Sequence, residues 1–209
     1  MSKFFFIERK SKKLNSPLIV LIHGYGSNEN DLFSLIDYFP NDAYVISLRA
    51  PKELFNDAYA WYDIYLDANN KFYDHEAAAL VRDDLFHFID DLSKNPNINA
   101  DNITLIGFSQ GAILSHAISF SYPKKIKNIL ALSGLIDEKI MKKTSLTPKT
   151  NIYISHGKND NLINYETSKE SLNFYIQNDV EFKFESYEQG HGINQQNLES
   201  MIKWLTRNI

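Results

Sequence analysis

Five strand-like runs in this chain stop at short polar loops containing glycine, and that repeated stop narrows the fold more than any other feature of its 209 residues. Residues 18–22 (LIVLI) stop at His23-Gly24-Tyr25-Gly26-Ser27, and residues 103–108 run into Gly107-Phe108-Ser109-Gln110-Gly111. Residues 126–132 stop at Ser133-Gly134-Leu135-Ile136-Asp137, residues 151–155 at His156-Gly157-Lys158-Asn159-Asp160, and residues 181–187 just before Gln189-Gly190-His191-Gly192. Short continuous apolar runs such as LIVLI are what strands buried on both faces present.

Helical patterns fill the intervals. NENDLFSLIDYF carries Leu32, Leu35, Ile36 and Phe39 at helical spacing, and Pro40 closes it. Residues 74–95 read as a long amphipathic helix, with Leu80, Val81, Leu85, Phe88, Ile89 and Leu92 on one stripe. Further helices are expected over 111–120, 165–177 and 194–207, and further strands over 4–8, at an edge, and over 43–48. The aromatic-rich RAPKELFNDAYAWYDIYLD reads as irregular. Strands alternating with helices imply an α/β fold, a mostly parallel central sheet with helices on both faces. No repeat, low-complexity tract or long linker interrupts the pattern, so residues 1–209 read as a single domain. The interval 133–150 has room for a helix but not for a separate cap domain.

Composition removes several classes of function. A formal charge of −4 implies no basic face, so no nucleic-acid partner is expected. The lysines at 10, 12, 13, 124, 125 and 127 read as solvated edges and helix ends. The absence of cysteine excludes a disulfide framework, a thiolate nucleophile and a cysteine-ligated metal. In MSKFFFIERKSKK the charges resume too soon for a signal peptide, and no run approaches the ~20 apolar residues of a membrane helix. No integral membrane segment is expected, a cytoplasmic location is the default, and a homodimer stays open.

In an open α/β sheet, reacting groups gather in the loops beyond the carboxyl ends of the strands. Here those loops carry a serine, acids and histidines. Gly-x-Ser-x-Gly between an apolar strand and an apolar helix is the setting of a nucleophile on a tight turn. Ser109 would then sit at a helix N-terminus, whose free N–H groups favour developing negative charge. A plain turn serine between two buried elements fits the same local pattern, so its partners must decide. A serine nucleophile needs a base, the base needs an orienting acid, and this turn demands the order Ser, acid, His.

Of the six histidines, His191 alone follows every acid candidate. His75 and His87 fall on or beside the long helix, and His116 lies too far along the helix after Ser109 to reach back. His23 suits a loop-shaping role and His156 a turn-packing one. Asp160 and Asp137 compete for the acid; Asp137 opens a helix-like segment where a cap role suits it, and Asp160 is preferred. Oxyanion donors are expected from the N–H groups of Tyr25 and Gln110. The Gln110 side chain has no evident role.

LIHGYGSNENDL, SLRAP…AWYDI, IGFSQGA, SHGKND and QGHGI, in that order, resemble the α/β-hydrolase superfamily and, within it, the phospholipase/carboxylesterase family. That family includes acyl-protein thioesterases and small bacterial carboxylesterases. The resemblance covers nearly the whole chain, and its RAP…WYD segment is the most specific part. It implies the α/β-hydrolase fold, a Ser109–His191–Asp160 triad, oxyanion donors at Tyr25 and Gln110, a small-molecule ester substrate, and neither cofactor nor metal. Ser-Asn-Glu-Asn after HGYG is closer to the bacterial carboxylesterases, which weakens any transfer of substrate identity from eukaryotic members.

The expected activity is that of a serine carboxylesterase on short- to medium-chain acyl esters. Lysophospholipase or acyl-protein thioesterase activity is the alternative on the same triad, and an inactive binding module is the alternative of another class. A peptidase of this fold would bring a cap or propeller, and a dienelactone-type hydrolase a cysteine nucleophile. Within the aromatic segment 54–66, Phe55, Trp61 and Tyr62 are candidates for the wall of an acyl groove; the competing expectation is that these aromatics pack the loop onto the sheet.

Overall fold

A computed structural model describes residues 4–67 and 70–209; residues 1–3, which open the stretch read against a signal peptide, lie outside the described residues, as do 68–69. In chain order the elements are β1 (Phe6–Arg9), β2 (Ser16–Ile22), α1 (Asn30–Phe33), β3 (Tyr44–Leu48), β4 (Lys52–Phe55) and β5 (Ala58–Ala60). β6 (Ile64–Asp67), β7 (Asn70–Tyr73), α2 (His75–Leu92), β8 (Ile98–Phe108), α3 (Gln110–Ser121) and β9 (Asn128–Leu132) follow. The last are β10 (Asn151–Gly157), α4 (Tyr165–Ser171), α5 (Asn173–Gln177), β11 (Lys183–Tyr187) and α6 (Gln195–Asn208).

Among the described residues the main sheet has seven strands in the order β1-β3-β2-β8-β9-β10-β11. β1 is an edge strand antiparallel to β3, and every other pairing is parallel. Alternation along β2 explains why both faces need helices, since successive strand side chains point to opposite faces. Leu18, Val20 and Ile22 enter one core with Leu85 and Ile89 of α2 and Leu114 of α3. Ile19 and Leu21 enter the other with Leu32 of α1 and Leu198, Met201 and Leu205 of α6. No helix among the described residues is long and apolar enough to cross a membrane.

α2 begins under Asp74, whose Oδ1 accepts the N–H groups of Glu76 and Ala77 at 2.9 and 3.1 Å. Its buried residues are Ala78, Arg82, Leu85, Phe86, Phe88 and Ile89. Leu80, assigned to the stripe from sequence, is exposed instead; at 3.6 residues per turn it lies about 200° around the helix from Ala78. Arg82 joins the stripe because its guanidinium donates to the Ile140 carbonyl and to Asp83.

Two stretches depart further from the sequence reading. NENDLFSLIDYF forms only the four-residue α1 and a 3-10 turn at Ile36–Tyr38. The Ser34 hydroxyl donates back to the Asp31 carbonyl at 2.6 Å, and Leu35 leaves helical geometry at φ −89°, ψ 8°. The aromatic stretch after β3 is ordered as the β4–β5 and β6–β7 hairpins. Asn56 and Asp57, at φ 27° and 60°, make the two-residue turn of the first. Between β9 and β10 stands one 3-10 turn, Glu138–Ile140, so no cap domain is inserted there.

Candidate active site

The loops after β2, β8, β9, β10 and β11 leave neighbouring strands at the same sheet edge. Ser109 joins β8 to α3 at φ 53°, ψ −114°, a left-handed φ that side chains rarely adopt. Its N–H donates to the Leu132 carbonyl at 2.8 Å, and its own carbonyl accepts from Ala112 and Ile113. The turn closes only because no side chain intervenes. A Cβ on Gly111 would lie 1.9 Å from the Ile22 oxygen, and one on Gly107 2.3 Å from the Gly111 oxygen.

His191 lies half-buried with its ring 4.9 Å from that of Phe108, the residue before Ser109. Its Nδ1 donates to Asp160 Oδ2 at 2.7 Å. Asp160 is 4% exposed, and its Oδ1 accepts the N–H groups of Leu162 and Ile163 at 2.8 and 2.9 Å. With Nδ1 protonated, a neutral His191 keeps a lone pair on Nε2. Main-chain bonds zip the two loops together: Lys158 N–H to Tyr187 O at 2.9 Å and Asn159 N–H to Gln189 O at 3.0 Å. Gln189 fixes the histidine loop from inside, donating to the Gly192 carbonyl at 2.5 Å and accepting from Asn194 N–H at 2.8 Å. The Gln189 carboxamide thereby restrains the glycine-flanked histidine loop.

The competing acid sits elsewhere. Asp137 caps the 3-10 turn by accepting Lys139 N–H at 2.9 Å, and its other oxygen accepts from the Tyr73 hydroxyl and lies 3.4 Å from His75 Nε2. His156 is buried, donates from Nε2 to the Ile163 carbonyl at 2.8 Å, and lies 3.2 Å from Asp160 Oδ2. Burial holds its pKa below the usual histidine value, so it packs behind the acid as a neutral ring. His116 is buried against the Tyr175 hydroxyl, and burial pushes its pKa down to about 3.

The HGYGS loop lies against Ser109: a Cβ on Gly24 would stand 3.1 Å from that of Ser109. His23 Nε2 accepts the Ala50 N–H at 3.0 Å, which leaves the proton on Nδ1 to donate to the Gly24 carbonyl at 2.7 Å. Gly26 N–H donates to Tyr59 O and Tyr59 N–H to Ser27 O, each at 2.8 Å. Glu29 is buried and takes a forked pair of bonds from Arg49 at 2.7 and 2.5 Å, which holds its carboxyl below the usual pKa. The Arg49 guanidinium lies over the rings of Phe5 and Tyr59, 4.4 and 4.7 Å from their centroids. Among the described residues neither Tyr25 N–H nor Gln110 N–H is engaged by a main-chain carbonyl.

The aromatic candidates separate. Trp61 and Tyr62 are 1% and 2% exposed, so they stand in the core and not on an open groove wall; the Trp61 ring lies 5.9 Å from that of Phe4 and the Tyr62 ring 4.7 Å from that of Tyr73. Phe55, at the hairpin tip, is exposed. Gln110, whose side chain had no evident role, is buried and bonds both Trp61 N–H and the Tyr62 carbonyl. Nothing local in the sequence signals this, because the partners lie 49 and 48 residues away.

A family model for phospholipase/carboxylesterase matches residues 3–209. The chain belongs to the phospholipase/carboxylesterase family. Among relatives of this family member, acyl-protein thioesterase 1 of Candida albicans is 30% identical over 70% of this chain and 67% of that protein. Carboxylesterase SOBER1 of Arabidopsis thaliana is 29% identical over 59% of this chain and 56% of that protein. A SOBER1-like protein of the same plant is matched over 48% of its length, so the chain spans about half of these plant relatives. The Bacillus cereus carboxylesterase shares the fold at a TM-score of 0.85 and 21% identity, covering 100% of this chain and 96% of that one. Esterase PE8 aligns at a TM-score of 0.83 and 25% identity, covering 99% and 100%. The names borne by the family and these relatives are those of hydrolases that act on ester substrates.

Proposed function

We propose that this chain is a serine carboxylesterase that hydrolyses short- to medium-chain acyl esters through an acyl-enzyme on Ser109. The observation that carries the reading is a serine at φ 53° on a strand-to-helix turn, served from the same sheet edge by a His191–Asp160 hydrogen bond of 2.7 Å. Ser109 Oγ forms the bond to the ester carbonyl carbon as His191 Nε2 takes the hydroxyl proton. The carbonyl π pair moves onto oxygen, facing the N–H groups of Tyr25 and Gln110. The tetrahedral intermediate collapses, the bond to the leaving alkoxide breaks, and the imidazolium returns its proton to that oxygen. Water then repeats the sequence at the acyl-enzyme, releasing the acid and restoring the Ser109 hydroxyl. Asp160 holds the Nδ1–H tautomer throughout and stabilises the imidazolium.

Acyl-protein thioesterase activity on the same three residues is the second reading, favoured by the Candida albicans relative. A thiolate would then leave in place of the alcohol, with the same proton path. The test is turnover of p-nitrophenyl acetate, butyrate and octanoate by wild type and Ser109→Ala. The expected result is turnover by wild type that falls about 10⁴-fold or more in Ser109→Ala. Absent turnover by wild type, or undiminished turnover by Ser109→Ala, contradicts the proposal.

A further inference from the structure

We propose that the Gln110 carboxamide and Trp61 form a clamp that sets the spacing between the two halves of the oxyanion site, which makes both of them positioning residues for ester hydrolysis. This rests on the reading above that Tyr25 and Gln110 supply the oxyanion N–H groups. Gln110 Oε1 accepts the Trp61 main-chain N–H at 2.9 Å, and its Nε2 donates to the Tyr62 carbonyl at 2.8 Å. A donor on one side and an acceptor on the other admit a single amide orientation. The Trp61 indole N–H donates to the His23 carbonyl at 2.8 Å, on the other side of the site. Tyr59, two residues earlier, bonds Gly26 N–H and Ser27 O through its own main chain, each at 2.8 Å.

Residues 59–62 therefore act as a splint. They grip the donor loop on both sides of Tyr25, at His23 and at Gly26–Ser27, and they grip the nucleophile turn through Gln110. Gln110 is 2% exposed, Trp61 1% and His23 1%, so the bonds of Gln110 to Trp61 and Tyr62 and of Trp61 to His23 lie out of water, where breaking one leaves a buried polar group unpaired, whereas the Tyr59 bonds stand at the exposed end of the loop at Gly26. The Tyr25 and Gln110 N–H groups cannot separate without breaking at least one such bond. A two-donor site depends on that spacing, and a misplacement of about 1 Å can cost about 100-fold in rate. The buried Trp61 N–H and Tyr62 carbonyl need a partner for stability alone, so the clamp is distinguished by its effect on kcat per folded molecule and not by a loss of stability.

The test compares Gln110→Met, Gln110→Glu and Trp61→Phe with wild type and Ser109→Ala, measuring kcat and KM on p-nitrophenyl butyrate together with thermal unfolding. Gln110→Met keeps the length and removes both bonds, and Trp61→Phe removes the indole donor. Each is expected to lower kcat roughly 10- to 100-fold per folded molecule while KM stays within about 2-fold. Gln110→Glu, when protonated, offers the same acceptor and donor pair, so its kcat relative to wild type should rise as pH falls. A kcat per folded molecule within about 2-fold of wild type in the folded variants overturns the clamp. Should Gln110→Met fail to fold, Trp61→Phe decides by the same criterion. If Ser109→Ala is inactive while the clamp variants behave as wild type, the clamp alone fails; an active Ser109→Ala removes the nucleophile reading beneath it.

Discussion

The Asp160 carboxylate faces two main-chain N–H groups on one oxygen and the His191 imidazole on the other, which gives it a task that an amide cannot perform. Asp160→Asn places a neutral group opposite Nδ1 and removes the charge that stabilises the imidazolium, so kcat should fall about 10⁴-fold in an esterase assay. Asp137→Asn, at the 3-10 cap beside Tyr73 and His75, should leave kcat within about 2-fold. Equal losses in the two variants would contradict the assignment of the acid. At this scale the sequence was readable in placing Ser109, Asp160 and His191 in the loops after β8, β10 and β11, and the structure has Asp160 and His191 within hydrogen-bond distance of each other. The sequence was silent where a side chain meets a remote backbone. Gln110 and Trp61 carry no local mark of their shared bond, and the burial of Trp61 and Tyr62 follows from hairpins that the irregular reading of residues 49–67 left out.

Elements were legible in proportion to how fully their own burial dictates them. β2, β9, β10 and the second half of β8 are largely apolar runs covered on both sides, and their positions follow from the pattern, whereas the polar first half of β8, from Ile98, was not read as strand. The β4–β5 hairpin was missed because its turn is Asn56-Asp57, without the glycine that usually announces such a loop. α1 was overextended because apolar spacing says nothing about the Ser34 hydroxyl competing for the Asp31 carbonyl. Two variants test how elements meet. Gly111→Ala drives a Cβ to 1.9 Å from the Ile22 oxygen, so α3 and β2 must part, and urea unfolding should show a loss of about 3 kcal/mol or more. Asp74→Ala removes the α2 cap and should cost about 1 kcal/mol by the same measurement, leaving kcat unaffected.

Across the whole molecule, three histidines are folded into the interior, and their titration should dominate the acid side of the stability profile. Burial lowers the pKa of His23, His116 and His156, the second to about 3. The unfolded chain binds protons at these sites below its ordinary histidine pKa of about 6.5 while the folded chain does not. Stability is therefore complete above that pH and is lost as pH falls, at up to about 1.4 kcal/mol per pH unit for each histidine still neutral in the fold. Urea midpoints should drop from pH 7 to pH 5, and His116→Gln should flatten that slope; an unchanged midpoint across this range would contradict the burial account. The central claim, that the whole fold serves one activated serine, is tested most directly by intact-protein mass after exposure to a fluorophosphonate. The wild-type chain should gain the mass of a single adduct that maps to the peptide containing Ser109, and Ser109→Ala should gain none. An unmodified wild type, or an adduct that persists in Ser109→Ala, would contradict it.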